Sequence, residues 1–324
     1  MNTAAILAAG IGSRLRPLTN NQPKCLVKVN GKPILEHQLD ALKKAGITKV
    51  IIVVGYEGYK IEQYCKRYEG LEIEIIYNHD YENTNNMYSM YLLRNKLKGR
   101  EFLFCNADVI YDEEIIRKIV EAKMENWIAV DVGTYNEESM KVTVNDDGRI
   151  TGISKSFSKN VSYGRSVDLY RLTTEGSFAF FNEIEKIIEQ QKREREWTEV
   201  VIDKLASERK VTFKPLDIHG LRWVEIDNFD DLALADRVFS DFNIDDYKAV
   251  FLDLDGTLIV GGQAIEGAKD FIEMLLKKGI NYYYVTNNSS RSKKDYVKKL
   301  NSLGLHALEE NIILSTDGLV QYLL

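Results

Sequence analysis

The chain has 324 residues, 44% apolar and 28% charged, with a formal net charge of −6; it is too long for one average domain, and it offers no broad basic surface for nucleic acid. No window reaches the roughly 18 apolar residues of a membrane span, and Met1-Asn2-Thr3 lacks the basic start of a signal peptide, so a cytoplasmic location without a membrane partner is expected. The three cysteines (Cys25, Cys65, Cys105) are odd in number and widely spaced, and the four histidines are scattered, so neither a disulfide framework nor a Cys/His metal site follows from them.

Ala4 to Leu7 reads as a buried strand, and Gly10-Ile11-Gly12 as a turn at its carboxyl end. Glycines there let backbone N–H groups approach a phosphate, and Arg14, Arg16 and Lys24 add cations beside the turn. Pro33 to Ala45 reads as a helix with proline in its first turn and Gly46 ending it. Lys49 to Val54 (KVIIVV) is a continuous β-branched run, expected of a strand covered on both faces. Glu57 to Tyr68 is a helix, Leu71 to Tyr77 a strand, Asn85 to Leu97 a helix, and Glu101 to Cys105 a strand leading into Asn106-Ala107-Asp108. This β-α-β rhythm predicts an α/β fold with a doubly wound, mostly parallel sheet.

The rhythm then changes. Met140 to Val144 and Arg149 to Lys155 form a predicted hairpin around Asn145-Asp146-Asp147-Gly148. Val167 to Leu172 is a strand, Thr174 to Lys192 and Trp197 to Ser207 are helices, Val211 to Pro215 and Trp223 to Asp227 are strands. Asn228 or Asp230 caps a helix running to about Phe239. A polar, acidic boundary follows. Residues 1–240 are expected to form one domain, 241–247 a linker, and 248–324 a second, partial α/β domain in which the rhythm restarts.

Two aspartates, Asp108 and Asp227, each follow an apolar strand and would stand at the carboxyl edge of the sheet with the glycine turn. Mg²⁺ takes oxygen ligands and is held by one or two carboxylates beside substrate phosphates, which this pair suits. Each aspartate alone is equally well read as a turn former or helix cap.

The combined pattern A-A-G-x-G-S-R-L-x-P-L-T, with Pro23-Lys24 after it, resembles the sugar-phosphate and choline-phosphate nucleotidyltransferase family, over nearly all of residues 3–240. Asn85-Asn86-Met87-Tyr88-Ser89-Met90-Tyr91-Leu92 is similar to an element of its choline-phosphate cytidylyltransferase-like branch, found in bacteria that decorate surface glycans. The resemblance implies a Rossmann-like fold and Mg²⁺-dependent transfer of a nucleoside monophosphate, CMP from CTP, to a small phosphorylated alcohol such as phosphocholine, aminoethylphosphonate or a polyol phosphate. A sugar-1-phosphate nucleotidyltransferase using UTP, dTTP or GTP, or a catalytically dead nucleotide-binding scaffold, are the alternatives.

Residue by residue, the resemblance implies that Leu7, Ala8, Ala9, Gly10, Gly12 and Ser13 meet the nucleotide. Arg14 would neutralise the β- and γ-phosphates, Lys24 would contact the α-phosphate and the attacking phosphate, and Asp108 and Asp227 would hold the metal. Asn78, Asn85 and Ser89 would lie near the base; Tyr88, Lys155, Asp168 and Trp197 would serve the acceptor. A trimethylammonium group would want an aromatic cage, for which Tyr88, Tyr163, Tyr170 and Trp197 are candidates.

Phe251-Leu252-Asp253-Leu254-Asp255-Gly256-Thr257-Leu258 resembles motif I of haloacid-dehalogenase-type phosphatases, with Asp253 as nucleophile and Asp255 as acid and base. Val285-Thr286-Asn287-Asn288-Ser289 resembles motif II, with Thr286 on the phosphoryl group. The later lysine and acidic pair of that family have no counterpart up to Leu324, so little phosphatase activity is expected of these residues alone. A partial sheet with open edges makes a homo-oligomer an expectation too.

Overall fold

The computed structural model describes residues 1–240, 244–288 and 290–317. Residues 241–243 of the expected linker, Ser289 of the second motif and residues 318–324 lie outside the described residues. The chain divides into two compact units with the break after Ser240.

The first unit is built on a nine-stranded sheet. Its strands are β1 (Thr3–Ala8), β2 (Lys49–Val54), β3 (Glu72–Tyr77), β4 (Phe102–Asn106), β6 (Asn126–Val132), β7 (Lys141–Val144), β8 (Ile150–Ser154), β9 (Gly164–Leu172) and β10 (Phe213–Asp217); β5 (Val109–Tyr111) instead pairs with β11 (Trp223–Glu225). The order is β8-β7-β9-β4-β1-β2-β3, with β6 between β9 and β10. β4, β1, β2 and β3 run parallel, and β9 lies antiparallel to β4.

Alternation along the central strands explains why both faces are covered. Ala5, Leu7, Ile51 and Val53 enter one apolar cluster; Ala4, Ile6, Ala8, Val50, Ile52 and Val54 enter the other. The first face is closed by α3 (Asn86–Tyr91), α5 (Thr174–Glu185) and α6 (Thr198–Ser207) through Met87, Met90, Phe180, Phe181, Val201 and Ile202. The second is closed by α1 (Ile34–Lys44), α2 (Gly58–Cys65) and α4 (Glu113–Glu121) through Leu35, Leu39, Ile61, Ile115 and Ile119. Each such fully buried aliphatic side chain contributes roughly 1.5–3 kcal/mol. α7 (Phe229–Val238) starts at Asn228, whose side chain accepts from Asp230 and Asp231 N–H while Asp231 answers to the Asn228 N–H.

The predicted Asn85–Leu97 helix is two pieces, α3 and a short turn Arg94–Leu97, and the strand expected from Val167 begins at Gly164. β6 and α4 were not anticipated by the chain-order reading above, although Asp112 capping a stretch with Ile115, Ile116 and Ile119 carries a helix signature.

The second unit has a parallel sheet of β12 (Ala249–Asp253), β13 (Asn281–Thr286) and β14 (Ile312–Leu314), with β13 central. α8 (Ala268–Lys278) ends on Gly279 at φ +67°, and α9 (Lys293–Ser302) begins with a Ser292/Asp295 capping box. Leu252, Leu254, Ile272, Leu275, Tyr284 and Leu300 form its core. Among the described residues, no helix is long and apolar enough to cross a membrane.

Candidate active site

A cleft of about 420 Å³ runs along the carboxyl edge of the central strands. Strand order sets its layout. Asp168 on β9 neighbours Asn106 on β4; Asn106 pairs with Leu7 on β1; beyond β1 and β2, Asn78 follows β3. The glycine turn therefore sits mid-cleft, with Asn78 toward one end and Asp168 toward the other.

The turn depends on Gly12. Its φ is +66°, and a Cβ there would stand 2.9 Å from the Lys24 Cβ. The Gly12 carbonyl accepts from Thr19 Oγ1 at 2.8 Å, which fixes the loop against the segment leading to Lys24.

Lys24 then crosses the cleft. Its Nζ donates to Asp108 Oδ2 at 2.9 Å and to Asp227 Oδ1 at 2.9 Å, and Arg14 Nη2 reaches the same Asp227 oxygen at 2.9 Å. Burial opposes the Lys24 charge, but Asp108 and Asp227 outweigh it and hold the ammonium above its usual range. Burial likewise pushes the Asp227 carboxyl up, and Lys24 and Arg14 reverse this, leaving it below the usual carboxylate range. Asp108 Oδ1 is buried with no hydrogen-bond partner. An orphaned carboxylate oxygen beside a second carboxylate is the donor set a hard divalent cation uses when substrate phosphates supply the rest. Among the described residues no group of three or more His, Cys, Asp or Glu could hold a metal by itself.

Toward β3 the cleft is polar and uncharged. Asn78 is buried and donates to Thr84 Oγ1 at 3.0 Å and to Ser89 Oγ at 3.2 Å. Asn85 caps α3, its Oδ1 accepting from the Asn86 N–H at 2.8 Å.

Toward β9 it is acidic. Asp168 Oδ2 accepts from Asn106 Nδ2 at 2.9 Å, and Asp168 Oδ1 faces the Tyr170 hydroxyl at 3.2 Å. That hydroxyl is also 3.0 Å from Glu199 Oε1. Burial raises both carboxyls, and Glu199 and Glu225 raise Asp168 further. Glu225, on β11, is pushed up to about 7 by burial and by Asp108 and Asp227. Lys155 Nζ lies 5.0 Å from the centre of the half-exposed Trp197 ring.

Of the residues singled out from sequence, Leu7, Ala8, Ala9, Gly10, Gly12, Ser13, Arg14, Lys24, Asn78, Asn85, Ser89, Asp108, Lys155, Asp168, Trp197 and Asp227 all line this one cleft. Tyr88 does not; it packs against the core and against Tyr91, because the helix turns Asn86 and Ser89 to the cleft instead. Tyr163 is likewise absent from the lining, and Tyr170 is a core residue stacked 4.6 Å from Phe104. The four aromatic residues thus do not converge into a cage. Sequence reasoning missed Glu138, Glu199 and Glu225. Glu225 ends β11 two residues before Asp227, and both line the cleft; Glu199 is an acidic residue in the first turn of α6, indistinguishable in sequence from an ordinary helix-start glutamate.

The family model described as nucleotidyl transferase matches residues 3–237. The chain belongs to the nucleotidyl transferase family. A second model, described as haloacid dehalogenase-like hydrolase, matches residues 250–324. The chain is 35% identical over 134 residues to the CTP:phosphoglutamine cytidylyltransferase of Campylobacter jejuni, which is 40% of this chain and 52% of that protein. It is 45% identical over 94 residues to the choline-phosphate cytidylyltransferase of Streptococcus pneumoniae, 29% of this chain and 40% of that protein. The chain thus spans about half the length of the curated relatives it matches. Among solved structures, the CTP:phosphocholine cytidylyltransferase of Streptococcus pneumoniae superposes with a TM-score of 0.63 at 24% identity, covering 74% of this chain and 100% of that one, a likeness of fold.

In the second unit, Asp253 ends β12 in register with Val285, one residue before Thr286 on β13. Thr257 Oγ1 donates to Asp253 Oδ2 at 3.1 Å, and Lys299 Nζ is 4.0 Å from Asp255 Oδ1.

Proposed function

We propose that this nucleotidyl transferase family member transfers CMP from CTP to a small phosphorylated alcohol with Mg²⁺, releasing pyrophosphate. The observation that carries this reading is the convergence of Asp108 and Asp227, from separate strand ends, on Lys24 beside the glycine turn. The cytidylyltransferase relatives support CTP as donor.

The backbone of Leu7 to Ser13 would cradle the nucleotide, and Arg14 would neutralise its outer phosphates. Lys24 would move from the two carboxylates onto the α-phosphate and the attacking phosphate oxygen. Asp108 and Asp227 would hold Mg²⁺, which when bound offsets the charge that develops on the transferring phosphate. Lys155, on the β9 side with Asp168 and Trp197, would receive the acceptor's phosphate. A phosphomonoester oxygen is already anionic near neutral pH, so the chain's work is alignment and charge neutralisation, without a general base.

The test is pyrophosphate release from CTP, UTP, GTP and dTTP against a panel of small phosphate esters, with and without magnesium. Release with CTP and a small alcohol phosphate is expected. Release with UTP, dTTP or GTP and a sugar 1-phosphate alone would replace this reading, and no release with any pair would overturn it.

A further inference from the structure

The β9 end of the cleft is built to receive hydrogen-bond donors. Three carboxylates from three elements line it: Asp168 on β9, Glu199 on α6 and Glu225 on β11. Among the described residues, no lysine or arginine forms an ion pair with any of them. Protein donors are scarce. Tyr170 has one hydroxyl proton to divide between Asp168, Glu199 and Ser166, which lie 3.2, 3.0 and 3.2 Å from its oxygen. Asn106 supplies one further bond to Asp168; Glu199 is the better served, accepting from Thr198 Oγ1 at 3.1 Å, from the Asn86 side chain and from its own backbone N–H. The acceptor capacity left over is therefore at Asp168, which takes two side-chain donors, and at Glu225, to whose side chain no described residue donates.

The backbone at Asp168 is itself unusual. Its φ is +55°, at the point where the β9–β6 register shifts between Ser166 and Tyr170. A non-glycine residue there costs of order 1–3 kcal/mol, and such strain collects at ligand sites. Glycine would sit at this bulge without strain; the carboxyl is what aspartate adds.

The same end offers a quaternary ammonium opposite charge but no cage of rings. A trimethylammonium cation has no N–H to give, and it is held by several ring faces. Among the described residues Trp197 is the one aromatic ring lining this end, and the Lys155 ammonium already stands over it.

Resting on the nucleotidyl-transfer reading above, we infer that the acceptor is a small phosphate ester whose far end bears O–H or N–H donors, as in a polyol phosphate or a primary-amine phosphate, and that Asp168 is a specificity-determining residue selecting it over phosphocholine. A site that hydrogen-bonds a substrate O–H or N–H rejects the analogue lacking it by about 10⁴–10⁵-fold when fully enclosed. This end is partly open at Trp197, so at least about 100-fold is expected.

The experiment measures kcat/KM for glycerol phosphate, phosphoethanolamine and phosphocholine with CTP, in the full chain and in Asp168→Gly. Glycine relieves the positive φ, so thermal stability is expected to hold or rise. The inference expects turnover of glycerol phosphate or phosphoethanolamine, at least about 100-fold above phosphocholine. It expects Asp168→Gly to raise the acceptor KM about 10-fold or more and shrink that ratio, with the CTP KM unchanged. Glycerol phosphate and phosphoethanolamine separate hydroxyl from amine recognition, and a preference for either supports the shared chemistry. Phosphocholine used within about 10-fold of the better donor overturns the inference and leaves CMP transfer standing. An unaltered acceptor ratio in Asp168→Gly removes Asp168 from the account. Absence of pyrophosphate release with every nucleotide and acceptor overturns the underlying reading.

Discussion

Lys24 Nζ and Asp227 Oδ1 stand 2.9 Å apart although 203 positions separate them in the chain. The contact joins the segment after the glycine turn to the start of α7, and Asp108 on the other side of the same ammonium closes it into a three-residue cluster. Removing the lysine leaves two carboxylates facing each other at the cleft centre. Lys24→Met is expected to lower kcat with CTP by about 10²–10³-fold, the cost of deleting one preorganised charge partner of a transition state. Steady-state kinetics check this, and a fall smaller than about 5-fold would remove Lys24 from the chemistry.

Gly12→Ala meets two obstacles: a positive φ and a Cβ 2.9 Å from the Lys24 Cβ. Lys24 must shift from its place between the aspartates. The substitution is expected to destabilise the first unit by about 1–3 kcal/mol and to weaken CTP binding. Urea unfolding and nucleotide titration read the two effects. Gly10→Ala, whose added Cβ meets nothing within 4 Å, is the control and should cost less.

The three thiols are buried. Burial pushes Cys65 up to about 12, and Cys25 and Cys105 are raised by burial as well. The thiolate is the reactive form, so at pH 8 a thiol reagent such as DTNB should label the native protein at far below one equivalent over an hour, and three equivalents after denaturation. Rapid labelling of one thiol in the native protein would contradict the placement of that cysteine.

In the second unit Asp255 is 55% exposed, with Lys299 Nζ 4.0 Å from its Oδ1. Little phosphomonoester hydrolysis is expected of this 324-residue chain. Robust turnover that Asp253→Asn abolishes would show otherwise.

The central strands were legible because their apolar runs are continuous: Lys49–Val54 is read from sequence with the bounds the structure has. The part of the cleft around the glycine turn was legible too, since that turn, Arg14, Lys24 and the two strand-end aspartates carry their chemistry in local sequence. Of the acidic half, Asp168 was named through the family resemblance, but Glu199 and Glu225 were not. Glu199 joins Asp168 through the Tyr170 hydroxyl, a contact made only when the first turn of α6 is brought to β9 by the tertiary fold. The bulge at Asp168 lies in a strand-like stretch, Gly164–Leu172, that gives no local sign of a register shift. Tyr88 illustrates the converse: it lies within a recognisable motif, yet the helical period turns it to the core.

The central claim is that Asp108 and Asp227 together hold a divalent metal with the nucleotide's phosphates. Manganese binding followed by electron paramagnetic resonance, with and without CTP, tests it most directly. The account predicts one CTP-dependent manganese site in the full chain, weakened at least about 10-fold by Asp108→Asn and by Asp227→Asn. CTP-dependent manganese binding that survives both substitutions at full affinity would contradict it.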